Sequence, residues 1–221
     1  MGKIDTNKII VISAPSGAGK TTLNFRLMKE CPDIELTVSH TTRSPRTGET
    51  QGVHYYFVSQ DEFRALIGKD AFLEWAEVHG NLYGTSKSEL ERIHADSKIP
   101  MLEIDVQGWK KAKPLIPDAT SIFILPPSLE TLWKRLEGRG SDSFSTRWQR
   151  FLNAYQEIAS IELYDNFIIN DDLEEAYSSL KAIVSGASSK KITKKECLIF
   201  CEKLKQEFHE ASWIKEVKGR L

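Results

Sequence analysis

Ile9-Ile10-Val11-Ile12-Ser13-Ala14-Pro15-Ser16-Gly17-Ala18-Gly19-Lys20-Thr21-Thr22 is the stretch on which the fold turns. Its first four residues are β-branched and apolar, as in a short strand buried on both faces. Glycines follow at once. Leu23, Phe25, Leu27 and Met28 then carry an apolar set at mixed helical spacing that ends near Cys31-Pro32. Strand, glycine-rich loop and helix in that order make a P-loop. Glycines let successive backbone N–H groups turn inward on an anion, and the helix N-terminus adds positive potential. Lys20 can reach β- and γ-phosphates, and the Thr21 hydroxyl can ligate Mg²⁺. A nucleoside triphosphate site is therefore expected over Ala14, Pro15, Ser16, Gly17, Ala18, Gly19, Lys20 and Thr21, against the plainer reading of a glycine-rich turn beside a surface lysine. Ala14 stands where the pattern has its first glycine, which a Cβ permits only at negative φ.

The rest of the chain agrees with an ordinary folded protein. At 221 residues and 25.1 kDa it is long enough to bury a full core, and 28% charged with 40% hydrophobic residues is ordinary globular usage. Thirty basic against 31 acidic residues give a net charge of −1, so no global field favours nucleic acid or an anionic membrane. The longest apolar run, Cys197 to Cys201, is five residues, far below the roughly twenty that a membrane span requires. Met1 to Asn7 is polar, with too short an apolar run after it for a signal-peptide core, so a cytoplasmic location is expected. Three cysteines, Cys31, Cys197 and Cys201, do not form a disulfide framework or a zinc spacing and read as ordinary thiols.

Beyond the first helix, Leu36-Thr37-Val38 predicts a strand. Ser39-His40-Thr41-Thr42-Arg43-Ser44-Pro45-Arg46-Thr47-Gly48-Glu49 follows, then Gly52-Val53-His54-Tyr55-Tyr56-Phe57. This run resembles the GMP-binding segment of guanylate kinases, S-x-x-T-T-R-x-P-R-x-G-E-x-x-G-x-x-Y-x-F, at every fixed position. Phe72-Leu73-Glu74-Trp75-Ala76-Glu77 and Gly80-Asn81-Leu82-Tyr83-Gly84-Thr85 are similar to two further blocks of that family. The resemblance implies GMP contacts from Ser39, Arg43, Arg46, Glu49, Tyr55, Glu74, Tyr83, Thr85 and Glu103. The chemistry is consistent: Arg43 and Arg46 are planar forks suited to a phosphate dianion, and Tyr55 and Tyr83 can donate O–H to the same oxygens. Guanine offers an O6 acceptor and an N2 donor, so its pocket needs hydroxyls beside carboxylates, which Ser39, Thr85, Glu74 and Glu103 supply. Position 103 is commonly Asp in the family. Each residue alone has a plainer reading: solvated arginines, an aromatic strand, an outward Glu74, a Tyr83-Gly84 turn.

Met101-Leu102-Glu103-Ile104-Asp105-Val106-Gln107-Gly108 reads as a strand ending in acidic residues and a glycine turn. The resemblance makes Asp105 the carboxylate of the Mg²⁺ shell together with Thr21; the alternative is an Asp that opens the next helix. Ile122 to Leu125 is a further strand, stopped by Pro126-Pro127, and a helix opens at Ser128. Arg135-Leu136-Glu137-Gly138-Arg139-Gly140, with the later Arg150, is similar to the family's lid, which implies that Arg135, Arg139 and Arg150 act with Lys20 and Arg43 in catalysis, unless the three are exposed helix charges. Arg147 stands where the family has an aliphatic residue and receives no role. Phe167 to Leu173 matches the closing strand and N-D-D-L turn, implying that Asn170 lies near adenine, with Thr22 also on the ATP side; Asn170 or Asp172 can equally cap the helix Leu173 to Ile183.

The resemblance implies an α/β, three-layer P-loop kinase fold with a mainly parallel central sheet, spanning 1–185, with a GMP-binding subdomain at about 37–90 and a lid at about 135–155. A linker and an amphipathic helix are expected over 186–221, with Cys197, Phe200, Cys201, Leu204 and Phe208 on one face. The implied activity is phosphorylation of GMP or dGMP by Mg·ATP, with ATP and GMP as partners, no nucleic acid or membrane, and an oligomeric state left open. The rivals are a related P-loop kinase acting on another phosphorylated ribose compound and a non-catalytic module that binds phosphopeptides.

Overall fold

The computed structural model describes residues 9–78, 80–138, 143–187 and 192–219. In chain order its elements are β1 (Ile10–Ser13), α1 (Lys20–Glu30), β2 (Ile34–Leu36), β3 (His40–Thr41), β4 (Tyr56–Phe57), α2 (Gln60–Gly68), β5 (Phe72–Val78), β6 (Asn81–Ser86), α3 (Lys87–Ala95), β7 (Ile99–Glu103), α4 (Val106–Ala112), β8 (Thr120–Leu125), α5 (Leu129–Glu137), α6 (Phe144–Ile158), β9 (Asn166–Ile169), α7 (Leu173–Val184), α8 (Lys194–Glu210) and α9 (Ser212–Lys218). A five-stranded sheet has the order β2-β7-β1-β8-β9, and its β2–β7 and β8–β9 pairs are parallel. All four residues of β1 and the last five of β8 are buried, as their apolar runs require. The α/β class expected from the sequence is the one observed. Two compact units emerge, Met1–Val11 with Cys31–Thr120, and Ile12–Glu30 with Ser121–Leu221.

The first unit holds a second, four-stranded sheet in the order β4-β3-β6-β5. β5 and β6 form an antiparallel hairpin that sets Glu74 opposite Thr85, with an irregularity between Phe72 and Glu74. Phe63, Phe72 and Leu82 are buried together, with Val58, Leu66 and Ile67 packed around them. Ser59 and Glu62 form a reciprocal capping box at the start of α2. The strand expected at 36–38 lies two residues earlier, at Ile34–Leu36. The Thr37 amide still donates to the Met101 carbonyl (2.9 Å), but the Val38 amide is taken by the Glu89 carboxylate (3.0 Å), which ends the ladder. β7 likewise stops at Glu103, because Asp105 is the N-cap of α4 and accepts from the Gly108 amide at 2.7 Å.

In the second unit, α5, α6 and α7 open on side-chain caps from Ser128, Ser143 and Asp172. Trp133, Trp148 and Phe151 meet edge to face or tilted, with ring centroids 5.5–6.1 Å apart. The C-terminal helix buries Cys197, Cys201 and Leu204, and Phe208 stacks on Tyr155 at 3.9 Å. The thiols are free cysteines. The chain does not end as one helix: extended backbone at Ala211 (ψ 126°) separates α8 from α9, which buries Ile214 and Val217 and sets Trp213 against Phe151. Part of the expected linker, 188–191, lies outside the described residues. Among the described residues no helix is long and apolar enough to cross a membrane.

Candidate active site

In the second unit the chain leaves β1 into the loop Ala14 to Gly19 and enters α1 at Lys20. Gly17 and Gly19 take φ of +93° and +92°, a region that L side chains avoid. Ala14 is absent from the positive-φ residues, so its Cβ costs the loop nothing. At Gly19 a Cβ would stand 2.2 Å from Asn170 Nδ2, so this glycine is required by both dihedral and space. Asn170 is buried and donates from Nδ2 to the Ala18 carbonyl at 2.7 Å, while its own amide pairs with the Leu125 carbonyl. The cap of α7 is Asp172, which accepts from the Glu174 and Glu175 amides, so Asn170 is a loop anchor instead of a cap. Gly17, Gly19, Thr22, Arg135, Asn170, Asp171 and Leu173 line a cavity of about 340 Å³. Thr21 and Ser16 are exposed beside it in sequence, and Lys20 and Ala14 are half-buried.

Arg135 sits in the last turn of α5, where it donates to the carbonyls of Asn170 (3.0 Å) and Ala18 (3.5 Å). Its guanidinium is thus held against the loop by backbone oxygens. Arg139 lies outside the described residues. Arg150 is half-buried on α6. Arg147, given no role by the sequence, pairs with Glu137 at 3.6 Å and faces the Phe144 ring, tying the end of α5 to α6.

The first unit assembles the other predicted residues. The Glu74 side chain is buried at the start of β5 and its Oε1 accepts from the Thr85 amide at 3.0 Å. Oε2 faces Gly108, where a Cβ would stand 3.2 Å away. The hydroxyls of Ser39 and Thr85 lie 3.3 Å apart, so two hydroxyls and one carboxylate converge. Burial pushes the Glu74 carboxyl above its ordinary range, and the Thr85 bonds oppose that shift. Arg43 donates from Nη2 to both oxygens of Glu49 (2.8 and 3.0 Å) and from Nη1 to the Ser44 carbonyl (2.7 Å), and Glu49 also accepts from the Arg46 amide at 2.7 Å. Tyr55 and Tyr83 meet edge to face at 6.0 Å, and the Arg43 guanidinium lies 5.5 Å from the Tyr55 ring. The Arg46 side chain and Glu103 are exposed.

Sequence reasoning missed Glu89. Only 2% exposed, it accepts from the Val38 amide, the Tyr56 hydroxyl (3.0 Å) and Arg92 (3.0 and 3.1 Å), and Arg92 continues to Glu35. One carboxylate thereby fixes the residues that precede Ser39 and follow Tyr55. Its local context, Ser88-Glu89-Leu90 on a helix, carries no sign of that role.

The Arg43 guanidinium and the Arg46 amide hold Glu49 down to about 2, against about 4.3 for an unperturbed glutamate. A depressed folded-state value means that this pair's contribution is present above the unfolded value and is lost as pH falls through the folded one. The thermal midpoints of wild type and Glu49→Gln should therefore differ at neutral pH and converge between about pH 4 and pH 2; a gap that widens with acidification would contradict the pairing.

For a metal, Thr21 offers an exposed hydroxyl on the first turn of α1, and Asp105, exposed, keeps one carboxylate oxygen beyond the one that caps α4. Among the described residues no three His, Cys, Asp or Glu side chains gather into a metal cage. The Thr21 hydroxyl and the Asp105 carboxylate are each a hard oxygen donor of the kind Mg²⁺ takes when water and phosphate oxygens fill most of its coordination.

Comparison with known proteins agrees with this geometry. The family model described as guanylate kinase matches residues 6–187. A guanylate kinase of Shewanella violacea is 49% identical over 177 residues, covering 80% of this chain and 86% of its own. One from Neisseria gonorrhoeae is 48% identical over 183 residues, 83% of this chain and 89% of its own. The crystal structure of guanylate kinase from Anaplasma phagocytophilum superposes with a TM-score of 0.60 at 33% identity, over 86% of this chain and 92% of that one. With a glycine loop whose dihedrals demand glycine and a buried carboxylate flanked by two hydroxyls, the chain belongs to the guanylate kinase family.

Proposed function

We infer that this chain is an enzyme that transfers the γ-phosphoryl group of ATP to GMP or dGMP, giving ADP and the guanosine diphosphate. The observation that carries the reading is the convergence of buried Glu74 with the Ser39 and Thr85 hydroxyls. A carboxylate accepts from guanine N1–H and N2–H₂, and the hydroxyls donate to O6 or N7. Adenine presents an acceptor at N1, which the carboxylate would repel.

Arg43, Arg46, Tyr55 and Tyr83 bind the acceptor phosphate, with Glu49 holding the Arg43 guanidinium through its Nη2. The loop amides and Lys20 bind the β- and γ-phosphates of ATP, and Asn170 and Thr22, which line the cavity beside the loop glycines, also contact ATP, Asn170 near the adenine. The Thr21 hydroxyl would hold a Mg²⁺ that arrives with ATP and the Asp105 carboxylate would accept from its water shell, the charge neutralisation of phosphoryl transfer being what the ion would supply. The acceptor phosphate is already an ionised nucleophile, so the protein need supply no general base. Its part is orientation, exclusion of water and positive charge from Lys20, Arg135, Arg139 and Arg150. Residues 37–90 serve as the GMP-binding subdomain and 135–155 as the lid. Both substrates are nucleotides of the cytoplasm, which is where the enzyme would work.

Purified protein with Mg·ATP should convert GMP at least about a hundredfold faster, in kcat/KM, than AMP, CMP or UMP. ADP release measured by a coupled assay on the four acceptors tests this. Comparable turnover of AMP would contradict the base pocket, and no turnover with any acceptor would favour a binding module.

A further inference from the structure

The family match ends at residue 187, and α8 begins at Lys194, so the C-terminal helices are an addition to the matched segment. That addition reaches back to the ATP side. The Leu129 and Glu130 amides, the first two of α5, donate to Oε2 and Oε1 of Glu207, each at 2.9 Å. The third, Thr131, donates to the Ser128 hydroxyl at 3.0 Å. An α-helix leaves its first N–H groups without partners of its own, and here two of them are satisfied by a carboxylate 77 and 78 positions away.

The other end of α5 forms one wall of the phosphate loop. Arg135 bonds to Ala18 and Asn170 carbonyls, and Leu132 and Leu136 stand 3.1 and 3.2 Å from where a Cβ on Gly17 would be. Whatever fixes α5 along its axis therefore fixes the loop wall. Glu207 is itself held in place. A Thr193–Glu196 capping box starts α8, Lys194 donates to the Glu162 carbonyl at 2.8 Å, and Phe208 stacks on Tyr155.

We propose that Glu207 is a positioning residue for ATP binding, acting through α5 on Arg135 and the phosphate loop. The proposal rests on the reading of that loop as the ATP site. Glu207→Gln keeps the side-chain volume and one acceptor oxygen but turns an NH₂ toward a backbone N–H. It should weaken binding of Mg·ATP by about fivefold, the size of one lost helix cap, and raise KM for ATP in step. GMP binding should stay at the wild-type value. Glu207→Ala should weaken ATP at least as much, and Glu202→Gln, exposed on the same helix and paired only with Lys205 in the contacts described, should change nothing.

Calorimetric binding of a non-hydrolysable Mg·ATP analogue and of GMP, each alone, with thermal midpoints for every variant, makes the test. Wild type that does not bind the analogue overturns the reading of the loop itself. Wild type that binds, with Glu207→Gln binding equally well, overturns the positioning role even if the midpoint falls. Equal weakening of analogue and GMP also overturns it, since that is general loss of structure. If Glu207→Ala does not fold, the Gln variant carries the comparison unaided.

Discussion

Lys20→Ala is expected to lower kcat by on the order of 10³ while leaving GMP affinity within about threefold of wild type. The asymmetry follows from where the side chains originate. Lys20 is the first residue of α1, directly after a loop whose Gly17 and Gly19 dihedrals turn the backbone for an anion. The proposed acceptor residues Arg43, Glu49, Tyr55, Glu74, Tyr83 and Thr85 come from the segment β3 to β6, with Ser39 just before β3, in the other compact unit. A charge that acts on the moving phosphoryl group is felt most in the transition state, and removing it lowers turnover more than it lowers ground-state binding. Alanine is a strong helix former, so α1 itself survives. Initial rates with both substrates varied, together with GMP binding measured without ATP, give the answer. Weakening of GMP by the same factor as turnover would mean that donor and acceptor sites are not separate.

Glu74→Gln is expected to lower kcat/KM for GMP by about 10³ and to leave the rate with AMP unchanged or slightly raised. Glutamine keeps the size of the side chain, and its carbonyl can still accept from the Thr85 amide, which Glu74 does at 3.0 Å. The NH₂ then faces guanine N1–H and N2–H₂, donor against donor, in a place where water cannot relieve the mismatch. Burial raises the Glu74 carboxyl above its ordinary range, so the charged form is held against a desolvation cost. Removing that charge should leave the thermal midpoint equal or higher. Loss of GMP turnover together with a stable fold would assign the residue to base recognition. A variant that retains GMP-over-AMP selectivity would remove Glu74 from that role.

What the sequence disclosed was the chemistry bound to short motifs. Gly17 and Gly19 are informative because positive φ leaves few residue types, so their spacing before Lys20 carries geometry directly. Asp105 and Asp172 announce helix starts for the same local reason, as residues whose side chains reach the third amide on. Long-range partners gave no such signal. Glu49 reads as a GMP contact by motif, yet its bonds go to Arg43 Nη2 and the Arg46 amide, partners that the motif did not reveal. Glu89 and Glu207 look like solvent-facing helix charges, because their targets, Val38 and the start of α5, are 51 and 77–78 residues distant. The slipped edge strand has the same origin: Leu36-Thr37-Val38 has β character, but Glu89 claims the amide that the ladder would have used.

The aromatic stack of Phe208 on Tyr155, with Trp213 against Phe151, joins α8 and α9 to the same packed body as α5 and α6. The family match and the packing thus draw different borders on this molecule. A polypeptide trimmed where the ancestral pattern stops would present a bare ring-lined flank and an uncapped helix to water, and its poor behaviour would say nothing about whether the shared catalytic body is sound.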